Sequence, residues 1–125
     1  MRLLLDTNAY LRLVAGSRLP ARVHRALAKA SNEFFFSIVS AWEIAIKPDL
    51  GLSPAAVETG VSEMGGVLLP IRLSHLTALT RLPMYREHRD PFDRLLIAQA
   101  VSEDLTMISS DTRFSSYAGL RVLWD

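Results

Sequence analysis

The sequence predicts a single α/β domain over residues 1–125, a three-layer α/β/α sandwich around a mostly parallel sheet of about five strands. Three observations lead there. Short apolar runs alternate with segments of helical periodicity along the whole chain. No connection is long or biased enough in composition to serve as a linker, and there is no internal repeat. A chain of 125 residues that is 50% hydrophobic is the size of one compact domain and can bury a real core.

Taken in order, Arg2 to Leu5 reads as a short buried strand followed by a helix over Thr7 to Val14, which Gly16 and Ser17 close. Pro20 suits the first position of a second helix reaching Ala30, with Val23, Leu27 and Ala30 on one face and Arg18, Arg22, Arg25 and Lys29 on another. Phe34 to Phe36 is a strand running into a helix from Val39, which Pro48 must end. Pro54 to Met64 is helical and stopped by Gly65-Gly66. Val67 to Leu69 is a third strand, Ser74 to Arg81 a short helix, and Pro91 to Val101 the clearest helix of all. Thr106 to Ile108 and Arg121 to Trp124 supply the fourth and fifth strands. Strands separated by helices imply right-handed crossovers, and in such sheets ligands sit beyond the carboxyl ends of the strands.

Composition excludes several classes. Lys plus Arg number 14 against 13 Asp plus Glu, a net charge of +1, so there is no polybasic tail and no acidic disordered segment. All but Lys29 and Lys47 of the cations are Arg, whose forked geometry suits phosphate or carboxylate partners. The absence of cysteine excludes a disulfide framework, a thiolate zinc site and a cysteine nucleophile, and fits a cytoplasmic location. Asp6, Asn8 and Arg12 interrupt the apolar N-terminus before it resembles an export signal, and no uncharged stretch approaches the ~20 residues needed to span a bilayer. His24, His75 and His88 lack metal-ligand spacing and read as surface or partly buried histidines.

The chemistry-bearing residues are carboxylates. Asp6 follows the first strand, Glu43 lies early in the helix after the second, Asp93 opens the Pro91 helix and Asp111 follows the fourth strand, so all four can face one rim. Each has a plainer alternative. Asp6 and Asp111 can cap helices, Ser40-Ala41-Trp42-Glu43 matches a capping box, Lys47 can pair with Glu43, and Asp90 is a good cap that leaves Asp93 in a first turn. Two features favour a site. Asp93 shares a helical face with Leu96, Ile97 and Ala100, and Glu43 sits among Val39, Trp42, Ile44 and Ile46. Carboxylates gathered near a core repel one another unless a cation compensates, and oxygen-only ligation favours Mg2+ or Mn2+ over zinc.

Four blocks of sequence carry a resemblance. They are Leu3-Leu4-Leu5-Asp6-Thr7-Asn8; Ser37 to Lys47; His88-Arg89-Asp90-Pro91-Phe92-Asp93-Arg94 running on to Ala100; and Ile108-Ser109-Ser110-Asp111 with Phe114. In their order and spacing the chain resembles the PIN-domain ribonucleases, specifically the VapC-like toxins of type II toxin-antitoxin pairs. The resemblance covers essentially the whole chain. It implies a PIN-like sheet of about five strands between helices, with Asp6, Glu43 and Asp93 as metal ligands and Asp111 as a more variable fourth acid. Two departures touch the surface beside the site: Pro48-Asp49 breaks the helix early, and Gly51-Leu52 lacks a lysine that often follows.

On that resemblance the expected activity is hydrolysis of RNA phosphodiesters with one or two Mg2+ or Mn2+ ions, a water attacking phosphorus in line and a 5′-phosphate left on one product. Thr7, Asn8 and Ser40 are candidates to orient ligands or waters, with helix capping as the alternative. Arg86, Arg89, Arg94 and Tyr85 are candidates for RNA contact, since Arg holds phosphates and an aromatic ring stacks on unpaired bases. The expected partners are RNA, a small antitoxin protein and a second copy of the chain, with no membrane. Two other readings compete: a receiver-type signalling domain, disfavoured because there is no acidic doublet after the first strand and no lysine near the last, and a catalytically inactive PIN-like binding domain.

Overall fold

The computed structural model describes residues 1–125. Five strands, β1 (Arg2–Leu5), β2 (Glu33–Ser37), β3 (Val67–Leu69), β4 (Thr106–Ile108) and β5 (Arg121–Leu123), form one sheet in the order β3-β2-β1-β4-β5. Every pairing is parallel. The helices are α1 (Thr7–Val14), α2 (Ala21–Ala28), α3 (Ile38–Ala45), α4 (Pro54–Glu63), α5 (Leu73–Arg81) and α6 (Pro91–Glu103), with short 3-10 turns at Pro48–Leu50 and Thr112–Ser116. No helix is long and apolar enough to cross a membrane.

Both faces of the sheet are covered, and the strands divide their side chains accordingly. Leu3, Leu5, Phe34 and Phe36 point into a core shared with Ala9 and Tyr10 of α1, Val23 and Ala26 of α2, and Val57 and Val61 of α4. Leu4, Phe35 and Met107 point the other way, into a second core with Leu95, Leu96, Ile97, Ala98 and Ala100 of α6. Residues Arg94 through Ala100 are all buried, because α6 is enclosed by α3, α5 and the segment carrying Phe114 and Tyr117. Gly66 is required where α4 turns into β3: a Cβ there would lie 2.5 Å from a Phe34 ring carbon.

The predicted elements are all present, most with boundaries moved by a residue or two. Pro20 caps α2 with ψ 144 instead of opening it, and the helix ends at Ala28, where Asn32 Nδ2 donates to the Ala26 carbonyl. The C-terminal end of α6 runs to Glu103, and Asp104 then takes a left-handed φ of 56. At α3 the expected capping box does not form. Ser37, the last residue of β2, is the cap and accepts from the Val39 N–H at 3.0 Å, so the helix begins earlier and Ser40 lies inside it.

The order of the strands decides where a site can be. The chain leaves β1 toward β2 and β3 on one side and reaches β4 and β5 on the other, so the crossovers diverge between β1 and β4, at the carboxyl end of the sheet. Helices α1, α3 and α6 each run antiparallel to the strands they join, and their N-termini therefore meet at that rim.

Candidate metal centre at the carboxyl rim

Asp6 sits where β1 becomes α1. Its backbone N–H is tied to the Ile108 carbonyl of β4 at 3.1 Å, and its Oδ1 accepts from the Ala9 N–H at 2.7 Å, so it is the α1 cap. Only 5% of the residue is exposed. Burial pushes its carboxyl up from 3.8 to about 6, against the hydrogen bonds from Ser109 and Ala9, and the charges of Asp93 and Asp111 push the same way. Capping and clustering are thus compatible at this residue.

Glu43 is 8% exposed, in the second turn of α3. Lys47 Nζ donates to its Oε2 at 2.8 Å, while Oε1 is buried without a hydrogen-bond partner. Buried polar atoms are nearly always satisfied, so this orphaned oxygen marks a missing partner. Asp93, in the first turn of α6, is also raised, mainly by burial, with the charges of Asp90 and Glu43 adding to it and a His88 hydrogen bond opposing it. Asp90 is the α6 cap, its Oδ1 accepting from the N–H groups of Phe92 and Asp93 at 2.8 and 3.1 Å.

Asp111 behaves differently. Arg113 Nη2 donates to its Oδ2 at 2.7 Å, and both the backbone N–H and Nε of Arg113 reach Oδ1, at 2.9 and 3.0 Å. Arg113 therefore holds this carboxyl below the usual range. It still lies at the rim: ligand atoms of His88, Asp93 and Asp111 all fall within 4.8 Å of one another.

His88 is the residue that sequence reasoning missed. It is 1% exposed, with Nε2 3.1 Å from Asp93 Oδ2 and Nδ1 3.1 Å from the Tyr117 hydroxyl. Its spacing carries no signal, because the contact depends on a bridge between Tyr85 and His88 that folds the segment back before α6. His75 is likewise fully buried, with other partners: its Nε2 meets Glu103 at 2.9 Å.

The remaining candidates divide. Thr7 Oγ1 donates to Ser40 Oγ at 2.8 Å inside the protein, linking the first turns of α1 and α3, while Asn8 stays exposed. Arg86 and Arg89 are exposed. Arg94 is largely withdrawn from the surface: it is 7% exposed, its Nη1 donating to the Pro83 carbonyl at 2.8 Å and to the Tyr117 hydroxyl at 3.4 Å. Tyr85 is half-buried, its hydroxyl donating to the Ser116 carbonyl and its ring edge-on to Tyr117 at 5.0 Å. On α3, Trp42 and Ile46 were expected to help cover the core, yet they are 52% and 55% exposed. With Ile38 they form a stripe at four-residue spacing beside Glu43.

The donors at this rim are mainly hard carboxylate oxygens, the kind that suits a divalent cation. The group within 4.8 Å of one another is His88, Asp93 and Asp111; Asp6 and Glu43 are not part of it, though Asp6 feels the charges of Asp93 and Asp111, and Asp93 feels that of Glu43.

The comparisons agree with the geometry. A family model for the PIN domain matches residues 3–120. Among similar solved structures is VapBC2 from Rickettsia felis bound to a DNA fragment from their promoter, 15% identical over 100% of both chains with a TM-score of 0.73. DNA-bound VapBC from Salmonella typhimurium is 18% identical, covering 98% of this chain and 97% of that one, with a TM-score of 0.72. A toxin-antitoxin complex from Klebsiella pneumoniae is 18% identical over 97% and 95%, with a TM-score of 0.67. At these identities the structural likeness speaks to the fold. No curated protein matches the sequence significantly.

Proposed function

The chain belongs to the PIN domain family, and from that premise we propose that it is an endoribonuclease dependent on Mg2+ or Mn2+, acting as the toxin of a bacterial toxin-antitoxin pair. The observation that carries the reading is a pair of carboxylates without a Lys or Arg partner, buried Asp6 and half-buried Asp93, beside the orphaned Glu43 Oε1.

In this reading Asp6, Glu43 and Asp93 hold one or two divalent ions, and Asp111 assists from its Arg113 clamp. The metal supplies charge neutralisation and Lewis acidity for hydrolysis of an anionic phosphodiester. The chain's own residues set the stage. The Thr7–Ser40 hydrogen bond fixes α1 against α3 and so fixes the separation of Asp6 and Glu43. Lys47 occupies one Glu43 oxygen and leaves the other for the ion. Exposed Arg86 and Arg89, on the segment leading into Asp93, hold flanking phosphates of a single-stranded RNA. Tyr85, already engaged with Ser116 and Tyr117, contributes to the shape of that segment.

For the protein partner, support comes from the Klebsiella pneumoniae structure, a toxin-antitoxin complex, and from the exposed Ile38, Trp42 and Ile46 stripe, an apolar surface adjoining the acids. We place the antitoxin there, and a second copy of the chain as a homodimer partner elsewhere on the surface.

The test is cleavage of RNA with Mg2+ or Mn2+ by native protein, Asp6→Ala and Asp93→Ala. The expected result is cleavage by the native chain alone, abolished by EDTA. Equal activity in all three samples identifies a contaminating nuclease and removes the assignment. A folded native chain that binds the metal and never cleaves RNA leaves the inactive binding-domain reading in its place.

A further inference from the structure

Behind Asp93 runs a chain of buried polar groups that hydrolysis by carboxylates alone does not call for. The Arg94 guanidinium is pinned by the Pro83 carbonyl at 2.8 Å and reaches the Tyr117 hydroxyl at 3.4 Å; the hydroxyl lies 3.1 Å from His88 Nδ1; and His88 Nε2 lies 3.1 Å from Asp93 Oδ2. His88, Tyr117 and Arg94 are all buried, and Phe114 and Tyr117 flank the imidazole at 5.3 and 5.6 Å between ring centres.

Two roles in this chain are fixed. A guanidinium only donates, so the Tyr117 oxygen accepts from Arg94. A carboxylate only accepts, so His88 Nε2 carries a proton and donates to Asp93 Oδ2, while Nδ1 shares a hydrogen bond with the Tyr117 hydroxyl. Both ring nitrogens are thereby used. Although His88 lies close enough to Asp93 and Asp111 to be counted as a ligand, it has no lone pair left for a metal.

We propose that His88, fixed in orientation by Tyr117 and Arg94, is a positioning residue that holds Oδ2 of Asp93 and so leaves Oδ1 as the oxygen offered to the divalent ion. The assignment rests on the metal-dependent reading of the site. It also gives Arg94 its role: the guanidinium anchors the far end of the chain that aims the carboxylate. Hydrogen-bonded groups behind metal ligands set ligand orientation, and their loss typically weakens metal binding about 10- to 100-fold.

The experiment uses the full chain and its His88→Ala, His88→Gln and Tyr117→Phe variants, with Mn2+ affinity from calorimetry, the Mn2+ electron paramagnetic resonance spectrum, thermal unfolding and RNA cleavage measured on each. The expected pattern is a Mn2+ affinity lowered about 10- to 100-fold in His88→Ala, largely restored in His88→Gln, whose amide can donate to Oδ2, and lowered by a smaller factor in Tyr117→Phe. If His88→Ala does not fold, the Gln and Phe variants carry the comparison. A folded His88→Ala that binds Mn2+ like the native chain overturns the proposal, as does His88→Gln faring no better than His88→Ala. Nitrogen hyperfine coupling in the native spectrum that disappears in His88→Gln would make His88 a ligand and overturn it too. Native protein that binds no Mn2+ defeats the metal-dependent function itself, and the positioning role with it; native protein that binds and cleaves beside an unaltered His88→Ala defeats only the positioning role.

Discussion

Replacing Asp6 by Asn should make the metal-free protein more stable while destroying its activity. Asp6 is 5% exposed and its carboxyl is raised from 3.8 to about 6, chiefly by burial. A rise of about 2 units corresponds to about 3 kcal/mol at roughly 1.4 kcal/mol per unit, an upper bound on what the ionised group costs the fold. Because the folded-state value lies above the unfolded one, the folded protein holds the proton more tightly. The penalty is absent below pH 3.8, grows as the pH rises toward 6 and is complete above it. Asn removes the charge and keeps the cap, since its side-chain oxygen can still accept from the Ala9 N–H now 2.7 Å away. At pH 8 in EDTA, Asp6→Asn should therefore gain about 1–3 kcal/mol, or roughly 4 °C in Tm per kcal/mol, and the gain should vanish by pH 4. Added Mn2+ should raise the Tm of the native chain and not that of the variant. A variant less stable than the native chain at pH 8, or equal Mn2+ stabilisation of both, would refute the claim that Asp6 is a buried charge awaiting a cation.

Other substitutions separate structure from recognition. Arg94→Ala should cost about 1–3 kcal/mol in urea denaturation, because it takes the donor from the part-buried Pro83 carbonyl and from one lone pair of the buried Tyr117 hydroxyl. Arg86→Ala and Arg89→Ala should leave the urea midpoint unchanged yet weaken RNA binding, each lowering the slope of affinity against salt by about 1 in a filter-binding series. Ile46→Asp, at a 55% exposed position, should change stability by less than about 0.5 kcal/mol and prevent co-purification with the antitoxin. Gly66→Ala should lower stability by about 1–3 kcal/mol, since the new methyl meets the Phe34 ring.

What could be read from sequence follows from how local each feature is. The bounds of α1 were legible because its cap, Asp6, and its stop at Gly16 lie within a few residues of the helix itself. The start of α3, expected at Val39 and found at Ile38, was legible too, but its cap was not: Ser40 to Glu43 copies a capping box, whereas Ser37 ends β2 and turns straight into the helix, and Ser40 is taken by Thr7 from another element. Arg94 was misread for a related reason. Its neighbours Arg86, Arg89 and Tyr85 resemble a nucleic-acid surface, and only the enclosure of α6 reveals that this arginine faces inward. His88 was illegible because its two partners lie on different elements, Asp93 across the Asp90 cap and Tyr117 beyond β4. The exposure of Trp42 and Ile46 was equally hidden, since an apolar helix predicts burial and the sequence does not say whether this chain or a partner supplies the cover.

The distribution of countercharge within the rim narrows where a cation is needed. Of the four acids gathered from sequence, Glu43 has Lys47 at 2.8 Å and Asp111 has Arg113 at 2.7 Å, so each already has a partner of opposite charge in the chain. Asp6 and Asp93 have no Lys or Arg partner, and they are the two whose carboxyls burial pushes upward. Asp93 meets only the buried His88 ring, whose Nε2 lies 3.1 Å from its Oδ2 and orients it. The electrostatic demand for a divalent ion thus falls chiefly on the carboxylates that begin α1 and α6, on either side of the divergence between β1 and β4. In the proposed site Glu43 adds its one unpartnered oxygen. Removing Lys47 should then leave Glu43 with two unpartnered oxygens in place of one, tightening Mn2+ binding while destabilising the metal-free fold. Unchanged affinity in Lys47→Met would show that Glu43 stands outside the coordination sphere.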